Sequence, residues 1–130
     1  MRATVSWDKE LTFNCETESG KHLVLDGKGE NMTPMETVLL SVGACSSIDV
    51  VDILKKSRKQ VTHCECKLDA ERAEEAPRFF TSIHAHYIVS GTDLLEKNVA
   101  RAVQLSAEKY CSVMLMLTGN VKITTSYALV

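Results

Sequence analysis

The strongest constraint on the fold is a long apolar segment that begins at a helix-start motif. In Thr33-Pro34-Met35-Glu36, Thr33 can cap a helix, Pro34 suits the first helical position, and Glu36 completes a capping box. We therefore predict a helix from about residue 34 to residue 57.

This predicted helix carries very little charge. From Met35 to Leu54 its only charged residues are Glu36, Asp49 and Asp52. A helix that is apolar on most sides must be covered on most sides. One sheet and a second helix can cover two faces, and the remaining surface would be a large exposed patch on a monomer. A homodimer that packs the two central helices together would cover it, with extra coverage by the N-terminal strands as the alternative.

Alternation of apolar and polar residues predicts strands along the rest of the chain. The clearest example is the N-terminal segment RATVSWD, in which Ala3, Val5 and Trp7 alternate with polar residues. Turn signals such as Ser19-Gly20 separate the segments. The predicted strands cover residues 2–8, 10–16, 21–26, 60–72, 79–90 and 120–129.

A second helix is predicted from about residue 93 to residue 117. Asp93-x-x-Glu96 has the form of a capping box, and Gly119 suits a C-terminal cap. The resulting order, β-β-β-α-β-β-α-β, indicates an α+β fold with mostly antiparallel pairing. Neither a repeat nor a linker interrupts it, so we predict a single domain over residues 1–130.

Composition excludes several classes of function. The chain has 15 basic and 17 acidic residues and a net charge of −2, so it lacks the basic excess that drives nucleic-acid binding. Its apolar runs are interrupted before the roughly 18 residues that a membrane span needs. The start, MRATVSWDKE, has no apolar core of a signal peptide. We expect a cytoplasmic protein.

Five cysteines are unusual for such a chain. In a reducing cytosol they are expected to be thiols, and an odd number cannot all pair within one chain. Inert core thiols, metal ligands and a redox-active pair are the three interpretations. Cys15 lies on a short predicted strand with no histidine or basic residue nearby, and we interpret it as structural.

Cys64-x-Cys66 and His84-x-His86 have the form of metal-ligand pairs. Residues two apart share one face of a strand, so each pair is consistent by itself. The apolar pattern, however, places the cysteines on the core face and the histidines on the solvent face. Neither spacing matches a zinc-finger or zinc-ribbon signature. We therefore interpret the four residues as two buried thiols and two surface imidazoles, with a metal site as the alternative.

Cys45 and Cys111 lie on the two predicted helices, which are expected to pack together. Thiols on facing helices can form a disulfide if their Cα atoms are about 4.4–6.8 Å apart. By spacing alone, two core-filling thiols remain the alternative. Asp49, one turn beyond Cys45, opposes thiolate formation. Activation of Cys45 would require a basic group from a loop or a partner subunit.

Three motifs resemble the OsmC/Ohr family, and most closely its YhfA-like branch. They are Thr33-Pro34-Met35-Glu36, the segment Gly43-Ala44-Cys45-Ser46-Ser47-Ile48-Asp49-Val50-Val51, and the segment Ala107-Glu108-Lys109-Tyr110-Cys111-Ser112-Val113. The resemblance extends over essentially the whole chain and the same order of strands and helices. Ser112 stands where the better-known peroxidases of the family usually have proline.

The resemblance implies an intertwined homodimer with active sites at the subunit interface. It also implies a cysteine-based peroxidase that reduces organic hydroperoxides in oxidative stress defence and needs neither metal nor organic cofactor. Cys45 would attack the peroxide and become a sulfenic acid, and Cys111 would resolve it as a disulfide. A dithiol reductant would then restore both thiols.

This sequence departs from the family pattern at two positions. Counting back from Asp26-Gly27, the family's thiolate-stabilising arginine is replaced by Glu18, and a carboxylate there would disfavour a thiolate. Lys21 and His22 are the alternative bases. The glutamate that holds this arginine is replaced by Met35. The adjacent Glu36 is a candidate for the orienting role, with helix capping as the alternative.

Three hypotheses remain open on this evidence. The first is a thiol-dependent peroxidase with Cys45, Cys111 and Glu36 at its site. The second is a non-enzymatic protein of the same fold that binds a small hydrophobic molecule or senses redox state. The third is a metal-binding protein.

Overall fold

A computed structural model describes residues 1–130, which form two compact units, Met1–Val38 and Leu39–Val130. We call them the N-terminal and C-terminal units. The predicted central helix is α1, Pro34–Lys56, which begins in the first unit and continues in the second. The α+β class is confirmed, and the single domain stays a prediction.

The N-terminal unit contains a three-stranded antiparallel sheet in the order β1 (Ala3–Lys9), β2 (Thr12–Thr17), β3 (His22–Asp26). The strands agree with the predicted ones to within two residues. Gly20 has φ +84° in the turn between β2 and β3, a conformation that glycine adopts at little cost.

The C-terminal unit is built on a second three-stranded sheet. Its strands are β4 (Gln60–Arg72), β5 (Phe80–Thr92) and β6 (Lys122–Leu129), in that order. β4 pairs antiparallel with β5, and β5 pairs parallel with β6. A parallel neighbour needs a crossover connection, and the helical segment between β5 and β6 supplies it.

The prediction of one helix over residues 93–117 is wrong. The segment forms α2 (Glu96–Leu105), a single π-helical turn (Ser106–Tyr110) and α3 (Ser112–Leu117). Cys111 interrupts the helix with extended backbone, φ −72° and ψ 103°. The helix-forming residues around it contain no glycine or proline, so local propensity indicated continuity.

The predicted capping box at the start of this segment is also wrong. Asp93 has φ +56° and lies outside the helix. The side chain of Asn98 instead reaches back, and its Oδ1 accepts the backbone N–H of Leu95 at 3.0 Å. At the other end Gly119, with φ +99°, follows α3 as predicted.

The apolar core lies in the C-terminal unit. Its fully buried side chains come from α1, β5 and the broken helix, and the largest include Tyr87, Leu54, Ile83, Met114, Val42 and Val50. In the N-terminal unit Asp26 is buried, whereas Val5 and Trp7 are 64% and 67% exposed. The N-terminal sheet therefore has apolar side chains that the single chain leaves in contact with water.

The helix α1 is long and apolar enough to cross a membrane by length and composition, with a mean hydropathy of 1.7. We expected no segment long and apolar enough to span a membrane, and this expectation was wrong. Glycine, alanine and serine interrupt the most apolar runs of α1, but they add no charge. Val42, Val50 and Leu54 of α1 lie in the protein core. A core helix of a soluble protein passes the same test.

Candidate functional site

Cys45 lies on α1, about three turns from its beginning. Its neighbours Val42 and Ser46 are fully buried, whereas Cys45 itself is partly exposed. The thiol therefore lies at the border between the core and the surface, which leaves it within reach of a small molecule from solution.

Cys111 lies at the break between the π-helical turn and α3. Its backbone N–H donates to the carbonyl oxygen of Ser106 at 2.8 Å, which closes the π-helical turn. Its Sγ accepts the N–H of Met114 at 3.4 Å, so the side chain caps α3. Cys111 is completely buried.

The break explains a detail of the sequence motif. Ser112 is the first residue of α3, and proline is favoured at the first position of a helix. A proline at this position would have indicated that a new helix begins after Cys111. Serine gives no such signal.

The structure brings Cys45 and Cys111 together as free thiols. Burial raises the pKa of Cys111 to about 11, and a hydrogen bond with the neighbouring Cys45 and its charge raise it as well. The N–H of Met114 acts in the opposite direction. Cys111 is therefore held as a neutral thiol near neutral pH, next to a second free thiol.

Buried hydroxyl groups surround the α1 turn that carries Cys45. Tyr87 of β5 is 1% exposed and donates to Ser46 Oγ at 2.6 Å. Ser46 in turn donates to the carbonyl oxygen of Val42 at 2.7 Å. Burial raises the pKa of Tyr87 well above its usual range, so the phenol stays protonated. Neither hydroxyl was singled out by the sequence, because hydrophobic periods of 2 and 3.6 identify core faces and not the hydrogen bonds between polar groups on them.

Asp49 is linked to the same segment as Cys111. Its Oδ2 accepts the hydroxyl of Ser106 at 2.9 Å. Ser106 is 1% exposed, and its Oγ lies 3.4 Å from the carbonyl oxygen of Ser46. The carboxylate one turn beyond Cys45 thus has a structural partner, which the sequence did not indicate.

Cys64 and Cys66 lie on β4 and share one face of the sheet. Both thiols hydrogen-bond with Ser47 of α1, and burial raises both pKa values. Cys66 is opposite Tyr87 in the strand register. They lie on one face of the sheet, as predicted, but are partly rather than fully buried.

His84 and His86 lie on the opposite face of the sheet from these cysteines. The Nε2 of His84 and the Nδ1 of His86 are 2.8 Å and 2.7 Å from Ser126 Oγ. His84 Nδ1 is 2.6 Å from Thr124 Oγ1. The predicted separation of the two pairs is confirmed, and no group of three or more histidine, cysteine, aspartate or glutamate side chains has an arrangement that could hold a metal.

Glu36 lies in the N-terminal unit, where it closes the predicted capping box. Its Oε1 accepts the backbone N–H and the hydroxyl of Thr33 at 2.9 and 3.0 Å. The hydroxyl of Thr33 accepts the N–H of Glu36 at 3.3 Å. The two hydrogen bonds from Thr33 lower the pKa of Glu36. Helix capping therefore accounts for this residue, and the orienting role stays a prediction.

The other N-terminal residues considered above also have local partners. Glu18 Oε1 is 3.6 Å from the amino group of Met1. His22 Nε2 is 3.8 Å from Glu16 Oε1. Cys15 lies on β2, opposite Val5 and Leu23, and is partly buried.

Comparison with known proteins agrees with this architecture. The model of the OsmC-like protein family matches residues 27–126. Protein YhfA of Escherichia coli (strain K12) is 54% identical over 132 residues, with 100% of this chain and 98% of YhfA covered.

Two solved structures extend the comparison. A hypothetical protein from Aquifex aeolicus VF5 is 35% identical, with 99% and 95% of the two chains covered and a TM-score of 0.90. A protein from Legionella pneumophila, described as organic hydroperoxide resistance protein OsmC, has a TM-score of 0.71 at 16% identity, with 98% and 95% covered, and shares the fold. The chain therefore belongs to the OsmC-like protein family, in the branch that contains YhfA.

Proposed function

We propose that this protein is a thiol-dependent peroxidase that reduces organic hydroperoxides in oxidative stress defence. The observation that carries the proposal is the contact between Cys45 and Cys111, two thiols far apart in sequence that meet at the break in a helix. The description of the Legionella pneumophila protein as an organic hydroperoxide resistance protein gives the substrate class.

The two thiols divide the chemistry between them. The partly exposed Cys45 attacks the peroxide as a thiolate, its sulfur gains the terminal oxygen, and the alcohol leaves after protonation. Cys111, which burial keeps protonated in the resting protein, then attacks the Cys45 sulfenic acid as its proton passes to the departing hydroxide. An S–S bond forms, the S–O bond breaks and water leaves. A dithiol reductant returns both cysteines to thiols and is itself oxidised to a disulfide.

Cysteine variants test this mechanism directly. Cys45→Ser should abolish consumption of an organic hydroperoxide in the presence of a dithiol. Cys111→Ser should allow one oxidation event and then accumulate Cys45 sulfenic or sulfinic acid, seen by mass spectrometry. Cys15→Ser is the matched control and should keep full turnover. If Cys45→Ser consumes peroxide at the wild-type rate, the proposal is wrong.

The exposed apolar surface supports a homodimer. Leu40 and Ile48, on α1 two turns apart, are 49% and 68% exposed, and Ala44 lies between them. Water contact along such a stripe is unfavourable, and a second copy of α1 would remove it. In the dimer, a loop or the partner subunit supplies the base that activates Cys45.

Sedimentation velocity tests the homodimer. The wild-type protein should sediment as a dimer and Ile48→Asp should shift it towards the monomer. Leu95→Asp changes an equally apolar residue that is 53% exposed at the start of α2, and serves as the control. A wild-type monomer at micromolar concentration would contradict the assignment.

The protein is proposed to act in the cytoplasm, where a dithiol reductant is available.

A groove in the N-terminal unit favours the second candidate function, binding of a small hydrophobic molecule. The cavity has a volume of about 440 Å³ and is lined by Val5, Leu11, Phe13, Cys15, Leu25, Asp26, Gly27 and Pro34. Native mass spectrometry of the purified protein tests this function. A bound apolar molecule, in a protein that does not turn over peroxide, would support it.

A further inference from the structure

Ser106 forms hydrogen bonds with Cys111 itself and with Asp49, one helical turn after Cys45. Its carbonyl oxygen accepts the N–H of Cys111 at 2.8 Å. Its hydroxyl donates to Asp49 Oδ2 at 2.9 Å, and Asp49 lies one helical turn after Cys45 on α1. One buried residue therefore connects the helix that carries Cys45 to the backbone of Cys111.

The connection has the features of a strong contact. Ser106 is 1% exposed, and its acceptor is a carboxylate, which makes the hydrogen bond charge-assisted. The neighbouring polar side chain of the π-helical turn is engaged elsewhere, since Glu108 accepts from Gln104 at 3.4 Å on the exposed side. The Ser106–Asp49 hydrogen bond thus fixes where the π-helical turn lies along α1.

Disulfide formation tolerates little error in position, because the Cα separation and the dihedral angle about the S–S bond are both restricted. We propose that Ser106 and Asp49 are positioning residues that hold Cys111 in register with Cys45 for the disulfide step. In that step the S–S bond forms, the S–O bond of the Cys45 sulfenic acid breaks and water leaves. The inference rests on the proposed function, and neither residue takes a proton or electrons in it.

Equilibration with a glutathione redox buffer tests the positioning without any peroxide. The fraction of Cys45–Cys111 disulfide is measured by mass spectrometry in Ser106→Ala, Asp49→Ala and the wild type. Each variant should lower the equilibrium constant for the disulfide about tenfold, as expected for loss of one hydrogen bond to a charged group. Ser112→Ala, an exposed serine next to Cys111, is the matched control and should leave it unchanged.

Two further variants separate positioning from general stability. Asp49→Asn keeps an acceptor oxygen for Ser106 and should restore most of the disulfide. The Ser106→Ala/Asp49→Ala double variant should lose no more than Ser106→Ala alone, because Ser106→Ala already removes the contact with Asp49. If Ser106→Ala fails to fold, Asp49→Ala, a change at a partly exposed side chain, still provides the measurement.

Treatment with an organic hydroperoxide supplies the second readout. At a fixed peroxide dose, Ser106→Ala should direct more Cys45 to sulfinic acid and less to disulfide than the wild type, because a misplaced Cys111 resolves the sulfenic acid more slowly. Disulfide constants equal to the wild type in both single variants, or additive losses in the double variant, would overturn the inference.

The two proposals fail in different ways. A wild-type protein that forms the disulfide in redox buffer but consumes no peroxide contradicts the peroxidase function and leaves the positioning intact. A working peroxidase in which Ser106→Ala has the wild-type disulfide constant contradicts the positioning alone. A wild-type protein that forms no Cys45–Cys111 disulfide under either condition contradicts both.

Discussion

The phenol of Tyr87 on β5 donates a 2.6 Å hydrogen bond to the hydroxyl of Ser46 on α1, 41 positions away in the sequence. Both residues are buried. The bond joins the strand to the helical turn that follows Cys45, so the environment of this thiol depends on a contact that no local pattern encodes.

Tyr87→Phe should lower the free energy of unfolding by about 1 kcal/mol. The loss is modest because Ser46 keeps its bond to the carbonyl oxygen of Val42 at 2.7 Å, and the phenylalanine ring fills nearly the same space. Urea unfolding followed by circular dichroism measures it. The phenol also hydrogen-bonds with Cys66, and a loss of more than about 3 kcal/mol would contradict a modest contribution from these neutral contacts.

Two glycines provide a matched comparison of packing. A Cβ at Gly91 would collide with the backbone carbonyl oxygen of Gln60, which cannot move without breaking the pairing of β4 with β5. Gly91→Ala should therefore cost at least about 2 kcal/mol. Its effect is measured by urea unfolding of the purified variant.

Gly43→Ala is the corresponding substitution on α1 and should cost much less. A Cβ at Gly43 would be 2.7 Å from Leu68 Cδ1, the end of a flexible side chain that can shift. Alanine also favours the helix over glycine by about 1 kcal/mol. The variant should remain within about 1 kcal/mol of the wild type, and a greater loss than for Gly91→Ala would contradict this reading of the two contacts.

The raised pKa of Cys111 predicts a loss of stability at high pH. The thiol titrates near 8.5 in the unfolded chain and at about 11 in the folded one, so between these values the folded state binds more protons. The stabilisation is complete below about pH 8.5 and is lost as pH rises towards 11, by about 3 kcal/mol. Urea unfolding at a series of pH values measures the slope.

The matched variant for this measurement is Cys111→Ser, which keeps an acceptor for the N–H of Met114 but does not titrate in this range. Its unfolding free energy should fall less steeply between pH 8.5 and 11. Cys64, Cys66 and Tyr87 also have raised pKa values and contribute to the slope in both proteins. If the free energy of unfolding falls equally steeply with pH in the wild type and the variant, the loss of stability at high pH does not come from Cys111.

The capping box of α1 predicts the effect of acid. Hydrogen bonds from the backbone and side chain of Thr33 lower the pKa of Glu36. The stabilisation from its carboxylate is therefore present above the pKa of the unfolded chain and is lost as pH falls through the lower folded value. Thr33→Ala should lower the free energy of unfolding by about 1 kcal/mol at pH 7. Glu36→Gln should be less stable than the wild type at pH 7, and the free energies of unfolding of the two proteins should converge as pH falls.

The same variants decide between the two roles of Glu36. If it only caps the helix, Glu36→Gln and Thr33→Ala should retain peroxide turnover wherever they are folded. If Glu36 orients a group at the active site, Glu36→Gln should lose turnover while Thr33→Ala keeps it. Steady-state rates at pH 7, with thermal melts as a check on folding, distinguish these results.

Local signals predicted most of the elements. The limits of α1 agree with the prediction to within one residue, and threonine, proline and glutamate at its start are direct helix-boundary signals. β4 was predicted at its observed bounds because its apolar and polar residues alternate. The broken second helix was missed because the interruption at Cys111 comes from a backbone conformation and a thiol cap, which helix propensity does not register.

The sequence by itself determined the class of fold, the two cysteine motifs and the separation of cysteines from histidines across the sheet, because hydrophobic periods of 2 and 3.6 assign residues to faces. The contact of Cys45 with Cys111, the hydroxyls of Tyr87, Ser46 and Ser106, and the raised pKa of Cys111 were decided by the tertiary structure. Those features depend on which atoms meet across elements far apart in the chain and on how much water the core excludes, and neither is encoded by neighbours in sequence.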